Sequence, residues 1–146
     1  SNAVSGAGAH GLMQLLPIAA GAGSKKPPSA RRLREPGMNL KLGQDYLAYL
    51  SGANLAGDDL LRVLASYNSG PGAVQSWAHA ADGDPLLFLE TIPSDETRQF
   101  VRRILVSMWG YAARFGTPAP SLSAMAWGLW PLFSPEIAPS RAATIH

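Results

Sequence analysis

Apolar residues return at three- and four-residue spacing in several places along the chain, and over no useful length do they alternate with polar ones. That pattern predicts helices and no sheet, a mainly α fold class. From Met38 onward, Leu40, Gly43, Leu47 and Leu50 fall on one face of a helix ending at Ser51-Gly52, with Glu35 and Pro36 just before its start. Leu60, Leu61, Leu64 and Tyr67 predict a second helix, capped by Asp58 or Asp59 and stopped by Gly70. Pro71 suits the first position of a third helix, carrying Val74 and Trp77, because the first turn has no use for the amide donor that proline lacks. YNSGPG, residues 67 to 72, is therefore a helix-turn-helix corner. The longest stripe follows Ile92-Pro93. Thr97, Phe100, Val101, Ile104, Leu105, Met108, Tyr111 and Phe115 line one face, while Arg102, Arg103 and Arg114 lie off it. Ser94 or Asp95 caps this helix, and Gly116-Thr117-Pro118 ends it.

Between and beyond these helices the chain reads differently. Residues 4 to 16 are a loop passing into the short apolar element GLMQLL, which Pro17 limits. Residues 21 to 37 hold Gly21, Gly23, Pro27, Pro28, Pro36 and Gly37, which is loop chemistry with a turn of helix at 29 to 34. Pro118, Pro120, Pro131, Pro135 and Pro139 set residues 117 to 146 apart as a Pro-rich tail. Trp127, Leu129, Trp130 and Phe133 in that tail form an exposed apolar patch unless they pack on the domain or on a partner. Ser1-Asn2-Ala3 reads as the remnant of a removed expression tag. The expected organisation is a remnant at 1 to 3, one helical domain at 4 to 116 and the tail at 117 to 146.

Composition narrows the classes. With 146 residues, 47% hydrophobic and 15% charged, the chain can bury a sizeable core and lies outside the disordered range. It has no cysteine, so disulfides and cysteine-zinc sites are excluded. The formal charge is +2, and the basic residues are scattered apart from Lys25, Lys26, Arg31, Arg32 and Arg34 in one loop-like stretch. That cluster lacks interleaved aromatics and helical period, so it reads as a solvated face and no nucleic-acid partner is expected. No apolar run is long enough for a transmembrane span. His10 and His79 are isolated and His146 is terminal, so neither a metal site nor another cofactor is expected.

GAHGLMQLLP, residues 8 to 17, places Gln14 in a run of small and apolar residues. An amide there is either a satisfied core residue or a ligand contact, because a buried amide without partners costs a few kcal/mol, about 1 to 3 by mutational data. Four segments carry a wider pattern: SGAGAHGLMQLLP (5–17), EPGMNLKLGQDYLAYL (35–50), ASYNSGPGAVQSW (65–77) and IPSDETRQFVRRIL (92–105). In this order and spacing they resemble the catalytic domain of the soluble lytic murein transglycosylases, whose fold is related to goose-type lysozyme. The resemblance runs from about Val4 to Phe115.

The resemblance implies a lysozyme-like helical domain of the periplasm or cell envelope that acts on peptidoglycan glycan strands. The family cleaves the β-1,4 bond between N-acetylmuramic acid and N-acetylglucosamine. One glutamic acid protonates the glycosidic oxygen and then serves as base toward the muramic C6 hydroxyl, which leaves a 1,6-anhydro end; no second catalytic carboxylate is needed. In the family that acid sits in a Glu-Ser pair on a helix preceding the segment that matches SGAGAHGLMQ. By spacing it falls before residue 1. None of the ten acidic residues here stands at the acid position, so the catalytic residue is unassigned and the chain alone is expected to be inactive. A missing helix would bare apolar faces, for which self-association or the tail from Trp127 to Phe133 is the natural cover. The alternative is a non-catalytic peptidoglycan-binding or envelope-assembly module.

By the same resemblance Gln14 hydrogen-bonds sugar in the cleft, Ser5 is a cleft serine near the acid, Tyr67 places its hydroxyl beside the scissile sugar, and Glu96 helps to bind sugar. Glu96 also suits the positive end of a helix dipole. Asn68 is read as holding the corner, with Gly70, Pro71 and Gly72 structural. Arg98 is expected to pair with Glu96 or with the tail. Phe100 and Leu16 stand where the family often has tyrosine and methionine.

Overall fold

Five of the eight helices among the described residues begin on proline: α1 (Pro17–Ala20), α3 (Pro36–Leu50), α5 (Pro71–Trp77), α6 (Pro85–Thr91) and α8 (Pro120–Ala126). Proline's fixed φ matches a helical first turn, whose amides have no intrahelical acceptor, so the residue that breaks a helix interior opens one at its start. The other three are α2 (Ala30–Leu33), α4 (Leu60–Ser69) and α7 (Asp95–Phe115). The computed structural model describes residues 4–6, 8–22, 27–52, 55–77 and 83–133. Among these there is no strand, and isolated bridges join Val4 to His10, His10 to Leu15 and Asp59 to Leu132. The basic pair Lys25 and Lys26, His79 and residues 134–146 lie outside the described residues. The chain divides into two compact units, Ser1–Gly52 and Ala53–His146.

The first unit is organised by a polar residue. Asn39 on α3 is fully buried. Its Nδ2 donates to the carbonyls of His10 and Leu33, both at 2.9 Å, and its Oδ1 accepts from the Met13 amide at 2.7 Å. Three backbone groups of the N-terminal segment and α2 are thereby satisfied without sheet or helix partners, which is how an irregular segment can be buried. The close approach demands glycine at position 11: its φ is +76°, and a Cβ there would lie 2.6 Å from the Asn39 amide and the Leu33 carbonyl. Gly43, one turn along α3, likewise leaves room for the Met13 side chain. The buried face of α3 is therefore Asn39, Gly43, Tyr46 and Leu50. The apolar pattern had placed Leu40 on that face, and it is exposed. Pro17, expected to limit a helix, instead starts α1.

In the second unit α4 packs on α5 and α7, and the core gathers Leu60, Leu61, Leu64, Val74, Phe88, Ile92, Val101, Leu105 and Met125. Asp59, rather than Asp58, caps α4: its carboxylate accepts from the amides of Leu61 at 2.9 Å and Arg62 at 3.2 Å. Ser94, rather than Asp95, caps α7 through the Thr97 amide. The α7 stripe is buried at Thr97, Val101 and Leu105, but Tyr111 is 64% exposed and Phe115 70%. The helix outruns the core beneath it, and those two rings stack on each other 6.3 Å apart.

The chain beyond Gly116 departs from the tail expected there. Through Phe133 it is built into the second unit. Helix α8 sends Met125 into the core, and Trp109 Nε1 donates to the buried Ser121 hydroxyl at 3.0 Å. The Leu60 amide donates to the Pro131 carbonyl at 2.9 Å, and the Phe133 amide to the Asp58 carbonyl at 2.6 Å. Trp130 lies against the Phe88 ring at 5.7 Å and beneath the Arg62 guanidinium at 5.0 Å. Proline is compatible with such a strap because its carbonyl still accepts. Trp127 and Leu129 remain exposed, as the patch reading expected, whereas Trp130 and Phe133 pack on the core. No helix among the described residues is long and apolar enough to cross a membrane.

Candidate functional site

In the first unit the backbone of His10 pairs both ways with that of Leu15, N to O at 2.9 and 3.0 Å, which closes a tight loop over Gly11 to Gln14. Buried Leu15 anchors the loop on one side and the Asn39 bonds hold the other. Gln14 sits at its end with φ of +47°, the single non-glycine residue with positive φ among those described. For a residue with a Cβ this backbone costs about 1 kcal/mol or more. Its Nε2 donates to the Gly11 carbonyl at 2.8 Å, and the side chain is otherwise exposed. Of the two sequence alternatives, a satisfied core glutamine does not describe this residue. The bond engages the amide nitrogen and does not use the acceptor capacity of the amide oxygen. Ser5, half-buried, uses its oxygen to accept from the Ala9 amide at 3.0 Å, so it also shapes the loop.

In the second unit the corner between α4 and α5 carries Tyr67, Asn68, Gly70, Pro71 and Gly72. Gly70 has φ of +83° and ψ of 149°, a conformation open to glycine alone, which turns the chain into α5. Pro71 opens α5, and Gly72 is exposed in its first turn. Tyr67 is half-buried and lies parallel to Phe100 of α7, with ring centroids 6.3 Å apart. Glu96 is exposed in the first turn of α7, at the positive end of the helix dipole. Among the described residues Arg98 engages Asp95 rather than Glu96, and its Nη1 donates to the Ile92 carbonyl at 2.8 Å.

What the sequence missed lies between these residues. Thr97, taken as one member of an apolar stripe, is 1% exposed, and its hydroxyl meets three others. Oγ1 is 2.7 Å from Asn68 Oδ1 and 3.0 Å from Ser94 Oγ, and it also bonds the Ser69 hydroxyl. Thr97 thus joins the end of α4 to the start of α7. The partners are nearly thirty positions apart, so no local pattern signals the knot. A threonine heading an otherwise apolar stripe was the available hint. The structure gathers Tyr67, Asn68 and Glu96 around one corner of the second unit, while Ser5 and Gln14 belong to the loop of the first.

Two cavities lie elsewhere. One of about 480 Å³ is lined by Pro27, Pro28, Arg32 and Met38, and one of about 350 Å³ by Arg62, Ser66, Pro71 and Gln75; none of Ser5, Gln14, Tyr67 or Glu96 lines either. A groove that takes an extended polymer is shallow and solvent-open, so enclosed volume is a poor guide to it. Among the described residues no three histidine, aspartate or glutamate side chains gather where they could hold a metal ion.

Comparison with known proteins gives a consistent result. The family model described as Transglycosylase SLT domain matches residues 1–85. The soluble lytic murein transglycosylase of Escherichia coli K12 is 34% identical over 128 residues, covering 83% of this chain and 20% of its own length. Among solved structures, the 70 kDa soluble lytic transglycosylase of E. coli superposes with a TM-score of 0.70 at 32% identity, over 80% of this chain and 20% of that one. An inactive mutant of the lytic transglycosylase Slt of Pseudomonas aeruginosa gives 0.67 at 35% identity, over 82% and 20%. The chain spans about one-fifth of the length of the curated relative it matches.

Proposed function

The chain belongs to the Transglycosylase SLT domain family, an enzyme family with a lysozyme-like helical fold, and from that premise we propose that it binds a peptidoglycan glycan strand for lytic cleavage. Each unit is taken by itself: the contacts proposed in the first are Ser5 and Gln14 on its loop, and those proposed in the second are Tyr67 and Glu96 at its corner. The observation that carries this reading is the joining of the corner to the first turn of α7: Thr97 bonds Asn68, the Tyr67 ring stacks on Phe100, and the exposed Glu96 stands one helical turn before Phe100. Sugars take an aromatic ring and a carboxylate: their C–H faces lie on aromatic rings and their hydroxyls donate to carboxylates. The Gln14 amide oxygen, an acceptor that the Nε2 bond to Gly11 does not use, suits the N–H of an N-acetyl group.

In this reading the reaction divides labour. The residues named bind and orient the strand so that the muramic C6 hydroxyl reaches its own anomeric carbon, and such orientation contributes much of the rate of an intramolecular step. A glutamic acid protonates the departing glycosidic oxygen, takes the C6 hydroxyl proton, and leaves a 1,6-anhydro end. That acid is not one of the ten carboxylates of this chain. Glu96 is exposed, whereas a general acid for this step needs a carboxyl withdrawn from water. Turnover by these 146 residues alone is therefore expected to be negligible, and the place of action is the bacterial periplasm or cell envelope, where murein lies.

Mass spectrometry of soluble products from purified peptidoglycan tests this. A version extended N-terminally by the Glu-bearing helix should release 1,6-anhydro muropeptides, and the present chain should release none. Anhydro products from the present chain would refute the assignment of the acid. Glycan binding with no products from either version would make this a non-catalytic binding module, and reducing ends would mean hydrolysis.

A further inference from the structure

We propose that the Thr97 hydroxyl is the positioning group of the glycan-binding face in the second unit, locking the corner that carries Tyr67 and Asn68 to the helix turn that carries Glu96. The inference rests on the peptidoglycan reading of that face. Its basis is the distribution of contacts along one turn of α7. Thr97 bonds Asn68 and Ser69, and Phe100, three residues on, stacks on Tyr67. Two neighbouring contacts therefore set the register of α7 against the end of α4.

They differ in kind. Parallel rings 6.3 Å apart can slide with little change in energy, because dispersion has no strong direction. Hydrogen bonds weaken steeply with misalignment, so the hydroxyl knot decides the register. Its proton order follows from chemistry. A hydroxyl has one proton and two lone pairs. Asn68 Oδ1 can only accept and is the nearer partner at 2.7 Å, so Thr97 donates there. Ser69 then donates to Thr97, and Ser94 Oγ, 3.0 Å from Oγ1, accepts from the Thr97 amide at 3.2 Å. With its oxygen engaged by Thr97, Asn68 keeps its Nδ2 as a donor. Thr97 is 1% exposed and its proton goes to Asn68, so it acts through Asn68, Tyr67 and Glu96 without itself touching sugar.

Isothermal titration of the whole chain with a GlcNAc–MurNAc tetrasaccharide, alongside circular dichroism, tests the assignment. Thr97→Val keeps the shape and loses the hydroxyl, and it should weaken binding about tenfold or more while still melting cooperatively. Thr97→Ser keeps the hydroxyl and loses the methyl group, and it should bind within about twofold of the parent. Parent-like affinity in the valine variant overturns the inference. So does a serine variant as weak as valine, since that pattern belongs to packing alone. Should the valine variant fail to fold, Ser69→Ala removes one donor to the knot; about threefold weaker binding supports the inference and parent-like binding overturns it. Failure of the parent chain to bind the tetrasaccharide would instead overturn the peptidoglycan reading, and the inference with it.

Discussion

Replacing Asp59 with asparagine should flatten the acid side of the stability profile. The Asp59 side chain is 16% exposed and faces Arg62, whose Nε lies 3.2 Å from Oδ2. That Nε makes no hydrogen bond, so the approach is close but misangled and the attraction is Coulombic. Burial dominates and pushes the carboxyl up from 3.8 to about 6, against the opposing pull of the Arg62 and Leu61 amides and the Arg62 charge. Between those two values the folded chain binds more protons than the unfolded chain at this group, so folding stability falls as pH rises through the window. Below 3.8 the protonated form is favoured in full, and above about 6 that advantage is gone. A difference of about two units at about 1.4 kcal/mol each gives about 3 kcal/mol. The substituted asparagine would keep the cap, since its Oδ1 can accept from the same two amides. Urea unfolding of parent and Asp59→Asn, followed by far-UV circular dichroism at pH 4, 5, 6 and 7, isolates the group from other carboxylates. The stability of the variant relative to the parent should rise by about 2 kcal/mol from pH 4 to 7, since part of the full effect already lies below pH 4. A constant difference would refute the burial argument. A fall would mean that pairing with Arg62 outweighs desolvation.

Asn39→Leu should cost about 3 kcal/mol or more, because it strands the Leu33 carbonyl and the Met13 amide and leaves the His10 carbonyl only its bond from Leu15; chemical denaturation measures it, and a loss below about 1 kcal/mol would mean that water replaces the amide. Gln14→Gly relieves a φ of +47° and should raise stability by about 1 kcal/mol while weakening tetrasaccharide binding in titration calorimetry, and unchanged binding would remove Gln14 from the contact set. Trp130→Ala should cost about 3 kcal/mol, read as a fall in the urea midpoint; a neutral result would return residues 117–133 to the status of an independent tail.

The helical fold class was legible because the α4 and α7 patterns are strong and their ends carry their own signals: an aspartate and a serine with a free lone pair, then glycine at positive φ. The YNSGPG corner was legible for the same reason, since Gly70 and Pro71 allow little else. The ordered motifs also pointed to the family, which the family model bears out. These are local properties, set within a few residues by backbone sterics and hydrogen-bond accounting.

Pairings across the chain were hidden. The buried face of α3 was misread by apolar count because its organising residue is an asparagine, whose burial is tolerable only with His10, Leu33 and Met13 around it. The prolines after residue 116 looked like a tail, yet the carbonyl of one of them completes the start of α4. Gln14 stood in an apolar run and came out exposed, because it ends the tight loop closed by His10 and Leu15 while its neighbour Leu15 is the residue buried. Thr97 was counted as an apolar face position until the fold brought Asn68 and Ser69 to its hydroxyl. The helices α3, α4, α5 and α7 and their ends were set by local sequence, since those choices are made over short range, whereas α1, α6 and α8 were not read from it. Tertiary structure alone decided which polar groups are buried, because a buried donor or acceptor is stable only with a partner, and here the partners lie up to twenty-nine residues away.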